Sequence, residues 1–193
     1  MSILFSNIFF RYAHKLVKLT GFYLKYQPAR YSIASKINIA IKDNHRSEVS
    51  KILNALLANE YLLYTKTRNY HWNITGPQFN DLHKFFEAQY TELNIIVDDV
   101  AERTRALGAA SHGSMAEFLA HTTLKEAPGK AIGAKISLTN LLLDHEAIIR
   151  DLRRDLDLCS NQYGDMGTSD FLTGLMEQHE KMAWMLRSFL ERS

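Results

Sequence analysis

Two histidines and three carboxylates in the central part of the chain have the residue types and spacing of a metal site. They are His71, His83, Glu87, Asp98 and Glu102. Imidazole nitrogens and carboxylate oxygens form a mixed ligand set that suits iron, zinc or manganese better than soft metals. Ligand types alone therefore also allow a scaffold that holds manganese or zinc without redox turnover.

Four of these side chains share one face of a single predicted helix. At about 100° per residue they span only about 100° of the helix circumference: His83, Glu87, Asp98 and Glu102. His83 and Glu87 are four residues apart and can reach one ion, and so can Asp98 and Glu102. Because Glu87 and Asp98 are separated by about 16 Å along an unbroken helix, one ion cannot bind both pairs of one chain.

Two arrangements satisfy this spacing. Either the helix carries two separate half-sites, or an antiparallel copy supplies Asp98 and Glu102 of a second chain to the first chain. There they would meet His83 and Glu87. A two-fold axis creates the second arrangement twice per dimer, and His71 can join it from the end of the preceding helix. An intrachain di-iron site of the ferritin type needs Glu-x-x-His motifs. No Glu of the chain has a His three positions later, so the intersubunit arrangement is favoured.

Asp98 and Glu102 also have an interpretation that involves no metal, as solvated carboxylates on the helix surface. Asp98 and Glu102 lie close enough along the helix to pair with Arg103 or Arg105. A metal site built from cysteines is excluded more firmly. The chain has one cysteine, Cys159, which cannot form an internal disulfide or a cysteine-based zinc or iron–sulfur site.

Helical periodicity covers most of the chain from residue 43 onward, and the scarcity of glycine (9) and proline (3) favours long elements. Gly76-Pro77 and Gly108 are predicted to end helices, and Ser114-x-x-Glu117 forms a capping box. We predict an all-α four-helix bundle without strands. Asp43 or Asn44 is expected to be the N-cap of the first helix, which runs to 72–74. The next two long helices are expected to span 77–107 and 134–160, and Thr168 or Ser169 is expected to cap the last, which runs through Phe189.

The composition indicates one globular domain with an attached basic segment. A chain of 193 residues with 46% apolar and 23% charged residues can bury a core and is not disordered. The chain contains no run of 18 or more apolar residues, so no membrane-spanning helix is predicted. The net charge of +2 hides an asymmetry, because seven Lys and Arg residues precede the first acid, Asp43. The remaining 16 Lys and Arg stand against 21 Asp and Glu, so residues 43–193 carry a formal charge of −5.

Residues 1–36 are interpreted as a basic, amphipathic N-terminal extension, and residues 37–193 as the bundle. Over residues 3–19, apolar and basic stripes recur at helical spacing. An organelle presequence, a nucleic-acid or membrane-surface tail, and a start site placed too far upstream each fit this pattern. If the extension binds DNA, the cations expected to contact phosphate are Arg11, Lys15, Lys18, Lys25, Arg30 and Lys36.

Several motifs together resemble the Dps family, the miniferritins. They are Tyr70-His71-Trp72-Asn73, Leu82-His83, Asp98-x-x-Ala101-Glu102-Arg103 and Leu107-Gly108. The resemblance runs from about residue 38 to the C-terminus without large gaps. It implies a ferritin-like bundle with a short extra helix in the crossover between helices 2 and 3, and residues 114–121 fit that helix.

The resemblance also implies a function. The family forms hollow dodecamers that bind Fe(II) at a two-fold interface, oxidise it, preferably with hydrogen peroxide, and store a ferric mineral. His71, His83 and Glu87 would come from one subunit, and Asp98 and Glu102 from its mate. Many members have Asp where this chain has Glu87, which puts direct coordination at that position in question. A cytoplasmic ferroxidase without stable membrane insertion is expected, with a nucleoid location or organelle import as alternatives.

Three further residues receive roles from the same resemblance. Trp72 would lie beside the iron, where its indole can donate an electron or pack the interface. Asp165 and Asp170 are candidates for an acidic pore that draws iron inward, although Asp170 also suits the first turn of a helix. The competing function is DNA compaction, in which the basic tails of many subunits bind one duplex.

Overall fold

The computed structural model describes residues 37–127 and 133–191. Five α-helices make up the described chain, which contains no β-strand. They are α1 (Asp43–Asn73), α2 (Phe79–Ala106), α3 (Met115–His121), α4 (Ala134–Asp157) and α5 (Met166–Leu190), with a π-helical turn at Leu158–Gln162 after α4. The predicted all-α bundle with a short helix in the long crossover is confirmed. No helix of these residues is long and apolar enough to span a membrane.

Local backbone preferences explain how α1 turns into α2. The Ile74 amide donates to the Tyr70 carbonyl to close α1, and Gly76 then adopts a φ of 112°. An L side chain rarely adopts that conformation, so glycine suits this point of the turn. Pro77 follows, just before α2, where a missing N–H leaves no helical bond unmade. The turn is short, and it therefore places the last residues of α1 beside the first residues of α2.

Three predicted helix boundaries were wrong. Residue 42, a lysine, is the N-cap of α1 and gives no side-chain cap, so Asp43 is already helical. The fourth long helix begins at Met166, because Asp165 caps it by accepting from the Thr168 amide. The helix predicted over 134–160 is α-helical only to Asp157 and continues as the π-helical turn.

The core lies between two helix pairs, α1 with α2 and α4 with α5. Its fully buried side chains come from all four long helices and are mostly aliphatic, among them Leu53, Leu93, Leu141 and Leu172. The α3 helix covers one side of α1, where the Phe118 and Tyr61 rings stack with centroids 4.3 Å apart. The capping box at Ser114 and Glu117 is present as predicted. The bundle core thus packs α1 and α2 side by side.

Candidate metal centre

The imidazoles of His71 and His83 lie against each other where α1 ends and α2 begins. Their ring centroids are 3.8 Å apart with an interplanar angle of 19°. His71 Nδ1 lies 2.8 Å from the His83 carbonyl, and His83 Nδ1 lies 2.9 Å from the His71 carbonyl. The two residues therefore exchange a reciprocal pair of side-chain to backbone hydrogen bonds.

This exchange determines which ring nitrogen remains available. A carbonyl oxygen can only accept, so both Nδ1 atoms must carry hydrogen and donate. In a neutral imidazole Nε2 then holds a bare lone pair, which is the arrangement a metal-binding histidine needs. His71 and His83 are consequently fixed in the same tautomer, and each presents Nε2 as a potential ligand.

The three carboxylates predicted as ligands are exposed. Glu87, Asp98 and Glu102 all lie on α2, which is uninterrupted between them. Within the described part of the chain, none of the three side chains forms an ion pair or a hydrogen bond. The two arginines offered as partners are occupied elsewhere: Arg103 bonds Asp165 and Thr168, and Arg105 donates to the Ala109 carbonyl. The carboxylates are therefore open to a second molecule.

One chain does not assemble the five predicted ligands. Across residues 37–127 and 133–191, no three His, Cys, Asp or Glu side chains come together as a metal site. His71 and His83 are adjacent, whereas Asp98 lies 11 residues beyond Glu87 on the same uninterrupted helix, a separation of about 16 Å. One ion bound by all of these residues would therefore need ligands from another chain.

Aromatic side chains surround the two histidines. Phe79 stacks on His83 at 5.1 Å, and Tyr90 meets His71 edge-on at 5.1 Å. Trp72 is 63% exposed, and its ring lies 5.1 Å from the Arg68 guanidinium. Trp72 follows His71 directly in the chain, and a largely exposed tryptophan suits contact with another molecule.

The two aspartates assigned to an iron pore differ in environment. Asp165 is 2% exposed. Its carboxylate pairs with Arg103 at 3.0 Å and accepts from the amide and the hydroxyl of Thr168. Asp170 is exposed on the first turns of α5. Of the two, only the Asp170 carboxylate is exposed, whereas the Asp165 carboxylate caps α5 and pairs with Arg103.

A buried polar cluster in the bundle core was missed by the sequence analysis. Glu60 on α1, His145 on α4 and His179 on α5 have no exposed surface. His179 Nε2 lies 3.0 Å from Glu60 Oε1, and the Nδ1 atoms of the two histidines are 2.9 Å apart. Burial, and then the neighbouring His179, lower the pKa of His145 well below its ordinary value. The sequence contains one indication of this cluster: Glu60 lies on the helix face that Leu53 and Leu57 make apolar, where a charged residue is unexpected.

Comparison with known proteins identifies the family. The model of the ferritin-like domain matches residues 50–193. An uncharacterised low temperature-induced protein of Nostoc is 49% identical over 81% of this chain and 87% of its own. DNA protection during starvation protein 2 of Bacillus anthracis is 37% identical over 75% of this chain and 98% of its own.

Solved structures agree. The DPS protein from Vibrio cholerae, described as one of a broad superfamily of ferritin-like diiron-carboxylate proteins, superposes with a TM-score of 0.76 at 33% identity. It covers 83% of this chain and all of its own. Dps from Thermosynechococcus elongatus gives a TM-score of 0.74 at 31% identity over 78% of this chain and 94% of its own. The residues assigned to DNA binding (Arg11, Lys15, Lys18, Lys25, Arg30 and Lys36) lie outside the described residues. The chain belongs to the Dps family of ferritin-like proteins.

Proposed function

We propose that this chain is a ferroxidase subunit that oxidises Fe(II) at a site shared between two copies and stores the Fe(III) in a hollow dodecamer. The observation that carries the proposal is the reciprocal hydrogen bonding of His71 and His83, which leaves the Nε2 lone pairs of both rings available as ligands. Membership of the Dps family supports iron storage or DNA protection as the general role. Iron is the substrate and cargo in this scheme.

The ligand set suits iron in both oxidation states. His71, His83 and Glu87 of one subunit face Asp98 and Glu102 of its mate. Imidazole and carboxylate ligands suit iron, and anionic oxygens stabilise the ferric ion more than the ferrous ion because the Coulomb attraction grows with charge. Two Fe(II) ions give one electron each to hydrogen peroxide, which takes up two protons and leaves as two water molecules. Trp72 adjoins the site as a candidate electron donor, and Asp170 draws iron toward the shell.

Fe(II) oxidation by peroxide tests the proposal. In the double variant His71→Ala/His83→Ala, the oxidation rate followed by ferric absorbance is expected to fall to that of iron in buffer. His121→Ala is the matched control, because His121 is an exposed histidine outside the site. A double variant as fast as the control would refute the proposal. A wild-type protein that binds iron without oxidising it would favour the metal-holding scaffold instead.

A second function, DNA compaction, is supported by the charge distribution. Residues 1–42 contain seven Lys and Arg and no acid, whereas residues 43–193 carry −5. Many such tails on one shell would bind phosphate multivalently and with a strong salt dependence. A gel shift at low and moderate salt, comparing the full chain with a chain starting near Ile37, tests this role. Equal mobility of DNA with both proteins would remove the tail from DNA binding.

A further inference from the structure

Another pair of contacting histidine rings lies at the surface of the crossover that contains α3. The ring centroids of His112 and His121 are 4.1 Å apart, with an interplanar angle of 41°. His112 comes shortly before α3 in the chain, and His121 is the last residue of α3. The separation is close to the 3.8 Å between the rings of His71 and His83. The two rings are therefore near enough to bind one ion, outside the candidate iron site.

The hydrogen bonds of this pair leave ring nitrogens available to a ligand. His121 Nδ1 lies 2.8 Å from the Glu117 carbonyl oxygen, which can only accept, so Nδ1 carries the hydrogen. In the neutral ring Nε2 then presents a lone pair, as a metal-binding histidine must. His112 Nδ1 is buried and has no hydrogen-bond partner among the described residues. Burial of a polar atom without a partner is unfavourable, and a bound metal ion would supply the partner.

Neighbouring groups hold the pair in place and add a negative charge beside it. The His112 amide donates to Asn54 Oδ1 on α1 at 2.8 Å, which attaches the crossover to the bundle. Hydrogen bonds from the Ser114 hydroxyl and from the Gly113 and Ser114 amides lower the pKa of the Glu117 carboxyl, and the nearby His112 lowers it further. The carboxylate close to the two rings therefore favours a cation over an anion as their ligand.

We propose that His112 and His121 bind one divalent transition-metal ion, of which Zn²⁺ is the representative, and that this ion joins the two ends of α3. Imidazole nitrogens suit zinc, copper and nickel, and iron(II) ranks below all three in affinity for such ligands. Two protein ligands leave the remaining coordination positions to water. Asn54 lies 17 residues before His71 on α1, a distance of about 25 Å along the helix. The proposed zinc site is therefore separate from the candidate iron site and does not depend on the proposed function.

Calorimetric titration of Zn²⁺ into the metal-free, full-length protein tests the site. Wild type is expected to bind one more equivalent per chain than His112→Ala or His121→Ala. Because the two histidines share one ion, the double variant should lose no more zinc than each single variant. His45→Ala is the matched control, since the His45 ring contacts Tyr163 instead of a second histidine. This control should keep the wild-type stoichiometry.

Thermal unfolding measures whether the ion stabilises the crossover. A ligand that binds only the folded protein raises the unfolding temperature. Zinc should therefore stabilise the His71→Ala/His83→Ala protein, which lacks the histidines of the iron site, and should not stabilise the same protein once His121→Ala is added. Equal zinc stabilisation with and without His121→Ala would refute the proposal.

Three results of the titration would also overturn the proposal. Losses that add up in the double variant would show two independent surface histidines. Half an equivalent per chain, bound more tightly as the protein concentration rises, would show an ion that bridges two molecules. An unchanged stoichiometry in both single variants would show that the two rings only pack against each other.

Discussion

His145 and His179 face each other in the bundle core with their Nδ1 atoms 2.9 Å apart, and neither ring has any exposed surface. Only one hydrogen can lie between the two nitrogens, so one ring donates and the other accepts. His179 also meets Glu60 through Nε2, at 3.0 Å. That contact lacks hydrogen-bond geometry, so both Glu60 oxygens, His145 Nε2 and His179 Nε2 are buried without a hydrogen bond among the described residues. Buried polar groups without partners lower stability relative to aliphatic packing.

Stability is expected to fall as the pH falls, because the pKa of His145 is lowered in the folded state. Below the ordinary imidazole pKa, His145 is protonated in the unfolded chain but stays neutral in the folded protein, so the unfolded state binds one more proton. Each such proton makes the free energy of unfolding drop by up to about 1.4 kcal/mol per pH unit, beginning near pH 6.5. Urea unfolding between about pH 8 and 5 measures this slope, and His145→Gln should make it shallower.

His121→Gln is the control for this pH dependence, since His121 is exposed and does not belong to the buried cluster of Glu60, His145 and His179. Its slope should match that of wild type. A His145→Gln protein with the same slope as His121→Gln would show that His145 does not contribute to the acid sensitivity.

Gly76→Ala should destabilise the fold through backbone strain alone. The φ of Gly76 is +112°, and an added Cβ would meet no atom within 4 Å. An L residue in such a conformation loses about 1–2 kcal/mol. Thermal unfolding measures the loss, and Gly113→Ala, at a position equally open but without a positive φ, should be nearly neutral. Equal effects at both positions would mean that the turn between α1 and α2 relaxes easily.

Substitution of Asp165 should lower stability, whereas substitution of Asp170 should slow iron uptake. Asp165 caps α5 and pairs with Arg103 while 2% exposed, so Asp165→Ala leaves a partly buried guanidinium uncompensated. We expect a loss of roughly 3 kcal/mol in the free energy of unfolding. Asp170→Asn should change stability by less than about 0.5 kcal/mol but slow iron uptake at low salt, because an acidic field concentrates cations.

Urea unfolding and the initial rate of iron incorporation, measured for both variants, check these two expectations. An Asp170→Asn protein with the wild-type uptake rate at every salt concentration would exclude Asp170 from a pore. A stable Asp165→Ala protein would show that the Arg103 ion pair contributes little.

The fold was predictable wherever a backbone preference is local. Gly76-Pro77, Gly108 and the Ser114 capping box all act within a few residues, and each predicted boundary was confirmed to within about two residues. The start of α5 was predicted wrongly because Asp165 and Thr168 are both acceptable caps. The choice between them also involves Arg103, a partner 62 residues away from Asp165. The π-helical turn could not be predicted, because the spacing of the apolar residues does not reveal it.

The candidate site was predictable to the extent that it depends on helix geometry. Helical spacing alone placed His83 and Glu87 on one face with Asp98 and predicted that one ion cannot bind both pairs of ligands in one chain. The exchange of hydrogen bonds between His71 and His83 was not predictable, because the acceptors are carbonyls that every residue carries. The Glu60 cluster was missed because it depends on the relative register of three helices, which no single helical pattern reveals.

Mixing two inactive variants tests whether the site is shared between chains. One variant, His71→Ala/His83→Ala, lacks the histidine half, and the other, Asp98→Asn/Glu102→Gln, lacks the carboxylate half. In a two-fold dimer of one subunit of each kind, one site receives both damaged halves and the other receives both intact halves. Random pairing should restore about a quarter of the wild-type sites when both are co-expressed equally. The initial rate of Fe(II) oxidation measures the recovery, and each variant expressed alone is the control. Recovery fails if all five ligands act within one chain, so co-expressed variants as inactive as the separate ones would refute the intersubunit site.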